Sequence, residues 1–346
     1  MKKFEEISWL VTEEEYRADK ALSYSTLSTY ERTGFNNLAH LFDFKTSPSL
    51  TFGSAVDAII TGGMGEFNSR FIVFDIPEVP DSVITVVKSL YAKYGDKCRS
   101  IYEIPVADRI TETEIQKYQL NWKPETRAKV ICEKGFEYYD ALCKAEGKTI
   151  LNTALNDLVM GAVNALKESK ATKYYFQDDN PFEHIERKYQ LKFKGTFNGI
   201  NYRNMADEII IDYDKKTVLP IDLKTSSHTE WDFFQSFVDW NYMIQARLYW
   251  RIIRQNMDND EDFKDFTLLD YKFIVVNKET LTPLVWEYAD TQKMGPLVYG
   301  KNKNIVCRDP FDIGEELYAY LKDTPRVPKG IKLDKENSLV KYLKNL

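Results

Sequence analysis

Apolar and polar residues alternate with a period of two from residue 183 to residue 226, in "EHIERKYQLKFKGTFNGINYRNMADEIIIDYDKKTVLPIDLKTS". Asn198-Gly199 and Asp214-Lys215-Lys216 interrupt the alternation, and both are hairpin signals. Three consecutive strands in an antiparallel meander are therefore predicted. Before the meander the period is helical. "LSYSTLSTYERTGFNNLAHLFDF" offers Ser23 and Ser25 as caps, then Leu27, Tyr30, Phe35 and Leu38 at helical spacing, so a helix starts near Ser25. "LTFGSAVDAIITGG" puts Phe52, Val56, Ile59 and Ile60 on one face and stops at Gly62-Gly63, with Gly53 and Asp57 four apart on one side. After a short apolar run, "RFIVFDIPEVP", residues 83–175 read as a helical insertion whose clearest stripe is Leu155, Val159, Val163 and Leu166. After the meander, a long helix is predicted over 231–256, with Phe234, Phe237, Ile244, Leu248 and Ile252 on its stripe, followed by the strand "YKFIVVNKE".

Composition narrows the classes. With 346 residues and 43% hydrophobic content the chain can bury a sizeable core. It has no apolar run near the roughly 20 residues of a membrane span, and "MKKFEEISWLVTEEEY" lacks the features of a signal peptide, so a cytoplasmic location is expected. Cys98, Cys132, Cys143 and Cys307 form no CxxC pair, and His40, His184 and His228 share no ligand spacing. A net charge of −6 and a pI near 5.4 argue against coating nucleic acid by bulk electrostatics, though not against a basic groove on an acidic body. The basic tail "RVPKGIKLDKENSLVKYLKNL" reads as a solvated terminus.

The last strand of the meander carries Asp222 and Lys224. Residues two apart in a strand share a face, so the acid and the base project together, away from Ile221 and Leu223, onto a face expected to open into a cleft. An arbitrary D-x-K is most often a surface ion pair. Here, Asp207 lies eight residues before a turn centred near residue 215 and Asp222 seven after it, so the two carboxylates should come nearly opposite. Paired carboxylates repel unless a cation intervenes, and an all-oxygen site suits Mg²⁺ or Mn²⁺. Such an ion can acidify a water and neutralise a phosphodiester, with Lys224 positioning the nucleophile or stabilising the developing charge.

The series "ADEIIID", "PIDLKTS" and, on the next helix, "MIQARLYW" with Gln245 and Tyr249 four apart resembles the PD-(D/E)xK nuclease superfamily. The closest branch is that of the RecB-type, lambda-type and RecE-type exonucleases. "SYSTLSTYERTG" is similar to the S-x-S-x-L-x-x-Y helix of that branch, and "LTFGSAVDAII" to its GxxxH helix. The resemblance implies Asp207 and Asp222 as metal ligands, Lys224 as the catalytic lysine, the Leu223 carbonyl as an extra ligand, and Gln245 and Tyr249 as the helix motif that braces the site and contacts DNA. Asp57 stands where the family has its ligand histidine and can still bind through oxygen. Ser23 and Ser25 would contact DNA; Thr225 and Ser226 would do so or merely cap the next helix. Glu186 sits where several members place a further acid, and His228 lies close to the site in sequence.

The implied fold is α/β, a restriction-endonuclease-like core with a mixed central sheet and an antiparallel meander flanked by helices. The chain reads as one elaborated domain, with core helices over 22–80, the insertion over 83–175, the catalytic sheet and helix over 182–290 and an extension over 291–346. The implied activity is a Mg²⁺-dependent exonuclease on double-stranded DNA ends in phage-type recombination or repair. It would feed a single-strand annealing partner, as a possible homo-oligomer, in a bacterial or phage-infected cell. A single cysteine near the C-terminus, Cys307, implies no iron–sulfur cluster. The rivals are a structure-specific or restriction-type endonuclease on the same fold, and an inactive DNA-binding or scaffold protein.

Overall fold

The computed structural model describes residues 2–34, 41, 48–180, 183–300, 305–322, 331–333 and 340–342. The expectations at Phe35, Leu38 and His40, and those for most of the basic tail, lie outside the described residues.

In chain order the helices are α1 (Glu13–Ala18), α2 (Tyr24–Thr33), α3 (Pro48–Arg70), α4 (Asp81–Tyr94), α5 (Val106–Ile115), α6 (Pro124–Ala145), α7 (Thr153–Glu168), α8 (Phe233–Asp239), α9 (Tyr242–Asp258) and α10 (Pro310–Leu321). The strands are β1 (Phe71–Val73), β2 (Thr149–Leu151), β3 (Ile185–Phe197), β4 (Ile200–Asp212), β5 (Thr217–Ser226), β6 (Thr267–Leu268), β7 (Lys272–Asn277), β8 (Pro283–Glu287), β9 (Leu297–Tyr299), β10 (Ile305–Cys307), β11 (Ile331–Leu333) and β12 (Val340–Tyr342). They fall into two compact units, Met1–Thr61 with Gly161–Leu346, and Gly62–Met160.

The first unit is an α/β fold built on a mixed sheet of order β3-β4-β5-β7-β8, with β6 beside the start of β5. Its antiparallel meander is the predicted one. Asn198 (φ 51°) and Gly199 (φ 75°) both take the left-handed conformation that a two-residue hairpin turn requires, and Phe197 pairs with Ile200 across it. At the second turn the Asp212 carboxylate accepts the Lys215 backbone N–H at 2.9 Å and pairs with its ammonium at 2.6 Å. β5 then pairs antiparallel with β4 and parallel with β7, and the parallel pairing is possible because α8 and α9 form the crossover between them.

The predicted long helix over 231–256 is two helices. Asn241 adopts φ 56°, which ends α8 and re-aims the chain into α9. Of the expected stripe, Phe237, Ile244, Leu248 and Ile252 are buried, but Phe234, on the α8 side of the break, is 40% exposed. α9 lays its apolar face on β3 and β4, and each fully buried aliphatic side chain there stabilises the fold by roughly 2 kcal/mol.

Arg247 of α9 is wholly buried. It pairs with Asp309 at 2.9 Å and donates to the carbonyls of Lys293 (3.1 Å), Gly295 (2.5 Å) and Arg308 (3.3 Å), tying α9 to the start of α10. Arg247→Ala would strand those acceptors and is expected to cost roughly 3–5 kcal/mol, read as a lowered urea midpoint. A loss below about 1 kcal/mol would show that Arg251, 3.0 Å from the same carboxylate, suffices for the clamp.

The second unit, Gly62–Met160, holds α4, α5 and α6 around Val83, Val87, Leu90, Ile101 and Tyr139, beside a parallel β1-β2 pair. α4 and α6 approach so closely at Gly135 that a Cβ there would meet Val87 at 2.5 Å. α3 breaks at Gly63 (φ 71°), at the Gly-Gly pair predicted to stop it, and resumes as far as Arg70. Among the described residues no helix is long and apolar enough to cross a membrane.

Candidate active site

The central sheet forks. β4 and β5 pair from Asp212↔Thr217 to Glu208↔Ile221, so the next facing position is Asp207 and Asp222, and there the ladder ends. Beyond it, β5 runs on beside β7 alone, while the free edge of β4 is taken by Leu22, which receives the Arg203 N–H at 2.9 Å and donates to the Asn201 carbonyl at 2.9 Å. Asp207 fills the crotch of the fork: its Oδ2 accepts the Leu223 backbone N–H at 2.9 Å, taking the place of a strand carbonyl.

Asp222 and Lys224 share a face of β5, but that face is covered. Asp222 is 2% exposed and the Lys224 side chain 18%. The expected open cleft is instead roofed by α9: Gln245 Nε2 donates to Asp222 Oδ1, and the Lys224 ammonium pairs with Asp222 Oδ2 while lying 5.0 Å from the centre of the Tyr242 ring. Two charged groups are tolerated so deep because they are paired and hydrogen-bonded.

Burial raises the proton affinity of Asp207 well above the usual carboxylate range, and the charges of Asp222 and Asp57 raise it further, against Lys224 and the Leu223 N–H. Asp222 is also raised, by burial first, against the Lys224 ammonium and the hydrogen bonds from Gln245 and Asp207. For Lys224 burial acts to lower the pKa, but Asp222, Tyr242 and Asp207 outweigh it, so the lysine stays cationic at neutral pH.

α3 brings Asp57 within electrostatic reach of Asp207. It can pack there because Gly53 lies against β5, where a Cβ would stand 3.0 Å from Thr225 Oγ1. Asp57 Oδ1 accepts from Gln190 Nε2 at 3.1 Å. Gln190 is a member that sequence reasoning missed. It lies on β3 at the level of Asp207, between the pairs Tyr189↔Glu208 and Leu191↔Ala206, and takes φ 54° inside a strand. A left-handed glutamine costs roughly 1–3 kcal/mol, and nothing in a period-two pattern signals it. Gln190→Gly would relieve the strain and remove the amide. It is expected to keep or raise the melting temperature while weakening divalent-cation affinity by roughly 10–100-fold, measured by calorimetric titration; unchanged affinity would deny Gln190 a part in the site.

The other expected residues divide by exposure. Ser25 is exposed and Thr225 half-buried. Ser23 is buried as the cap of α2, its Oγ accepting the Thr26 N–H at 3.4 Å. Ser226 is buried, with its hydroxyl 3.4 Å from that of Ser236 and accepting the His228 N–H at 3.0 Å, so it braces the start of α8. Gln245 and Tyr249 are 3% and 7% exposed, and Tyr249 packs edge-on to Tyr271 at 6.1 Å, so both are buried under the roof that α9 makes and neither presents a surface for the expected DNA contact. Glu186 pairs with Ile211, remote from Asp207, and accepts from the Tyr213 hydroxyl at 3.0 Å. His184 is at the far turn, 2.8 Å from Asp214. The four cysteines are free thiols.

The donor set of Asp57, Asp207, Asp222 and the Leu223 carbonyl is all oxygen and suits a hard divalent cation, whose charge would offset the repulsion that raises Asp207. Among the described residues no three acidic, histidine or cysteine side chains are gathered as a ready-made metal cluster, and the Asp222 carboxylate is turned to Lys224 and Gln245.

No family model matches the chain, and no curated protein matches it. Among solved structures it is similar to a protein from Eubacterium rectale named "Putative exonuclease", at 12% identity over 91% of this chain and 85% of that one, with a TM-score of 0.41.

Proposed function

We propose that the chain is a metal-dependent nuclease of the PD-(D/E)xK kind that hydrolyses DNA phosphodiester bonds, working from double-stranded ends. One observation carries the reading: Asp207 and Asp222 face each other where β4 and β5 part, with Lys224 cationic beside them and Gln245 holding Asp222 from α9. A divalent cation bound by Asp57, Asp207, Asp222 and the Leu223 carbonyl, Mg²⁺ or in its place Mn²⁺, would neutralise phosphate charge and acidify a water.

The residues divide the remaining work. Lys224 keeps its proton at neutral pH, so it acts as a hydrogen-bond donor to the attacking water or to the developing negative charge and not as a base. Gln245 fixes one Asp222 oxygen, leaving the other to Lys224. Asp207 is anchored through Oδ2 by the Leu223 N–H, and its carboxyl is hydrogen-bonded to Asp222.

The reading extends to a phage-type recombination or repair exonuclease, cytoplasmic in a bacterial or infected cell, serving a single-strand annealing partner and assembling as a homo-oligomer. The test is digestion of a linear duplex labelled at one end or the other, with Mg²⁺ or Mn²⁺. Progressive shortening from an end is expected, and the labelled end gives the polarity. Rapid cutting of a closed circle would replace this reading by an endonuclease, and no nucleotide release with either metal would leave a DNA-binding scaffold.

A further inference from the structure

Trp240 stands at the break between α8 and α9 and is 50% exposed, although its backbone is fixed. Its carbonyl accepts from the Tyr24 hydroxyl at 2.5 Å and from Ser28 Oγ at 2.9 Å, so α2 holds the residue in place while the ring faces out. The Arg32 guanidinium lies 4.7 Å from the ring centre. Arg32 is itself exposed, and its Nε donates to the Ser28 carbonyl at 3.1 Å; among the described residues no ion pair takes up its charge. Two residues past Trp240, the Tyr242 ring covers the Lys224 ammonium at 5.0 Å; burial raises the proton affinity of Tyr242, and the nearby charges of Lys224 and Arg32 both oppose that rise. A rigidly mounted, half-exposed indole carrying an exposed arginine thus adjoins the acid and lysine cluster.

We propose that Trp240 and Arg32 form a stacking site for an unpaired nucleotide next to the phosphate that is cut, the indole taking the base and the guanidinium the adjoining phosphate. The inference rests on the nuclease reading and deepens it, since it assigns the substrate a single-stranded segment at the site. An indole offers every base a π-face, and an arginine stacked on it presents its remaining N–H donors to a phosphate. A protein surface is a poorer occupant, because covering Trp240 with apolar groups would desolvate Arg32 without pairing it.

The test uses the full chain in EDTA, where binding is read without hydrolysis, by anisotropy of a labelled blunt duplex and of the same duplex with a short unpaired tail, together with tryptophan fluorescence. Wild type should prefer the tailed duplex, with quenching on binding. Trp240→Ala should lose roughly tenfold in affinity for the tailed duplex and little for the blunt one, and Trp240→Phe should recover most of the loss. Arg32→Ala should weaken both and flatten the salt dependence by about one phosphate contact. Equal binding of tailed and blunt duplex by wild type, or an unchanged preference in Trp240→Ala, would overturn the proposal. So would quenching that follows protein concentration without DNA, which would mean that a second copy covers the indole. The two readings fail separately: digestion with Mg²⁺ alongside an indifferent Trp240→Ala keeps the nuclease and removes the stacking site, whereas tail-specific binding with no digestion in either metal does the reverse.

Discussion

Lys224→Met is expected to abolish DNA hydrolysis and to destabilise the chain by roughly 3–5 kcal/mol, because it leaves the Asp222 carboxylate buried beside Gln245 without its counter-charge. The two effects have different causes and can be separated. The double variant Asp222→Asn with Lys224→Met removes both charges, so most of the stability should return, whereas the rate should stay down by at least about 100-fold, since it lacks both the donor aimed at developing charge and the carboxylate proposed to hold the cation. Urea unfolding and single-turnover digestion of an end-labelled duplex measure the pair. Cleavage by Lys224→Met at the wild-type rate would remove the lysine from the mechanism, and a double variant as unstable as the single would mean that packing of the lysine stem, and not its charge, holds this strand.

What could be read from the sequence followed from local chemistry. Asn198-Gly199 admits a left-handed pair and Asp214-Lys215-Lys216 a loop, so both turns of the meander were legible, and counting outward from residue 215 brought Asp207 level with Asp222. What was not legible depends on contacts between distant segments. The burial of Asp222 is set by α9 closing over β5, which no property of "PIDLKTS" announces. The break at Asn241 is hidden because Phe237 and Ile244 keep helical spacing across it, and only the left-handed backbone of one asparagine separates the two helices. Gln190 looks like any outward polar residue of an edge strand, and its bond to Asp57 spans 133 positions. Trp240 falls inside the single helix predicted over 231–256, off its apolar stripe, and only the break places it at a terminus, outside the core.

If Asp207 binds the proposed cation, the repulsion that would suit it to that ion makes it a burden without one. Its folded-state pKa is raised by burial and by Asp222 and Asp57, so the native state holds this proton more tightly than the unfolded chain does. Stability from that protonated form is present at low pH and is lost as pH rises from the unfolded value of about 3.9 through the raised folded value. The amide introduced by Asp207→Asn cannot ionise, yet its oxygen can still accept the Leu223 N–H. Asp207→Asn should therefore melt higher than wild type in EDTA at pH 8, by roughly 2–4 °C for each kcal/mol relieved, and match it near pH 4. Adding Mg²⁺ should stabilise wild type, as any ligand selective for the native state does, and leave the variant unmoved, while digestion by the variant is lost. A variant that melts below wild type in EDTA at pH 8 would show that Asp207 is already compensated in the metal-free chain, and that the fork of β4 and β5 is held together by its carboxylate instead of being strained by it.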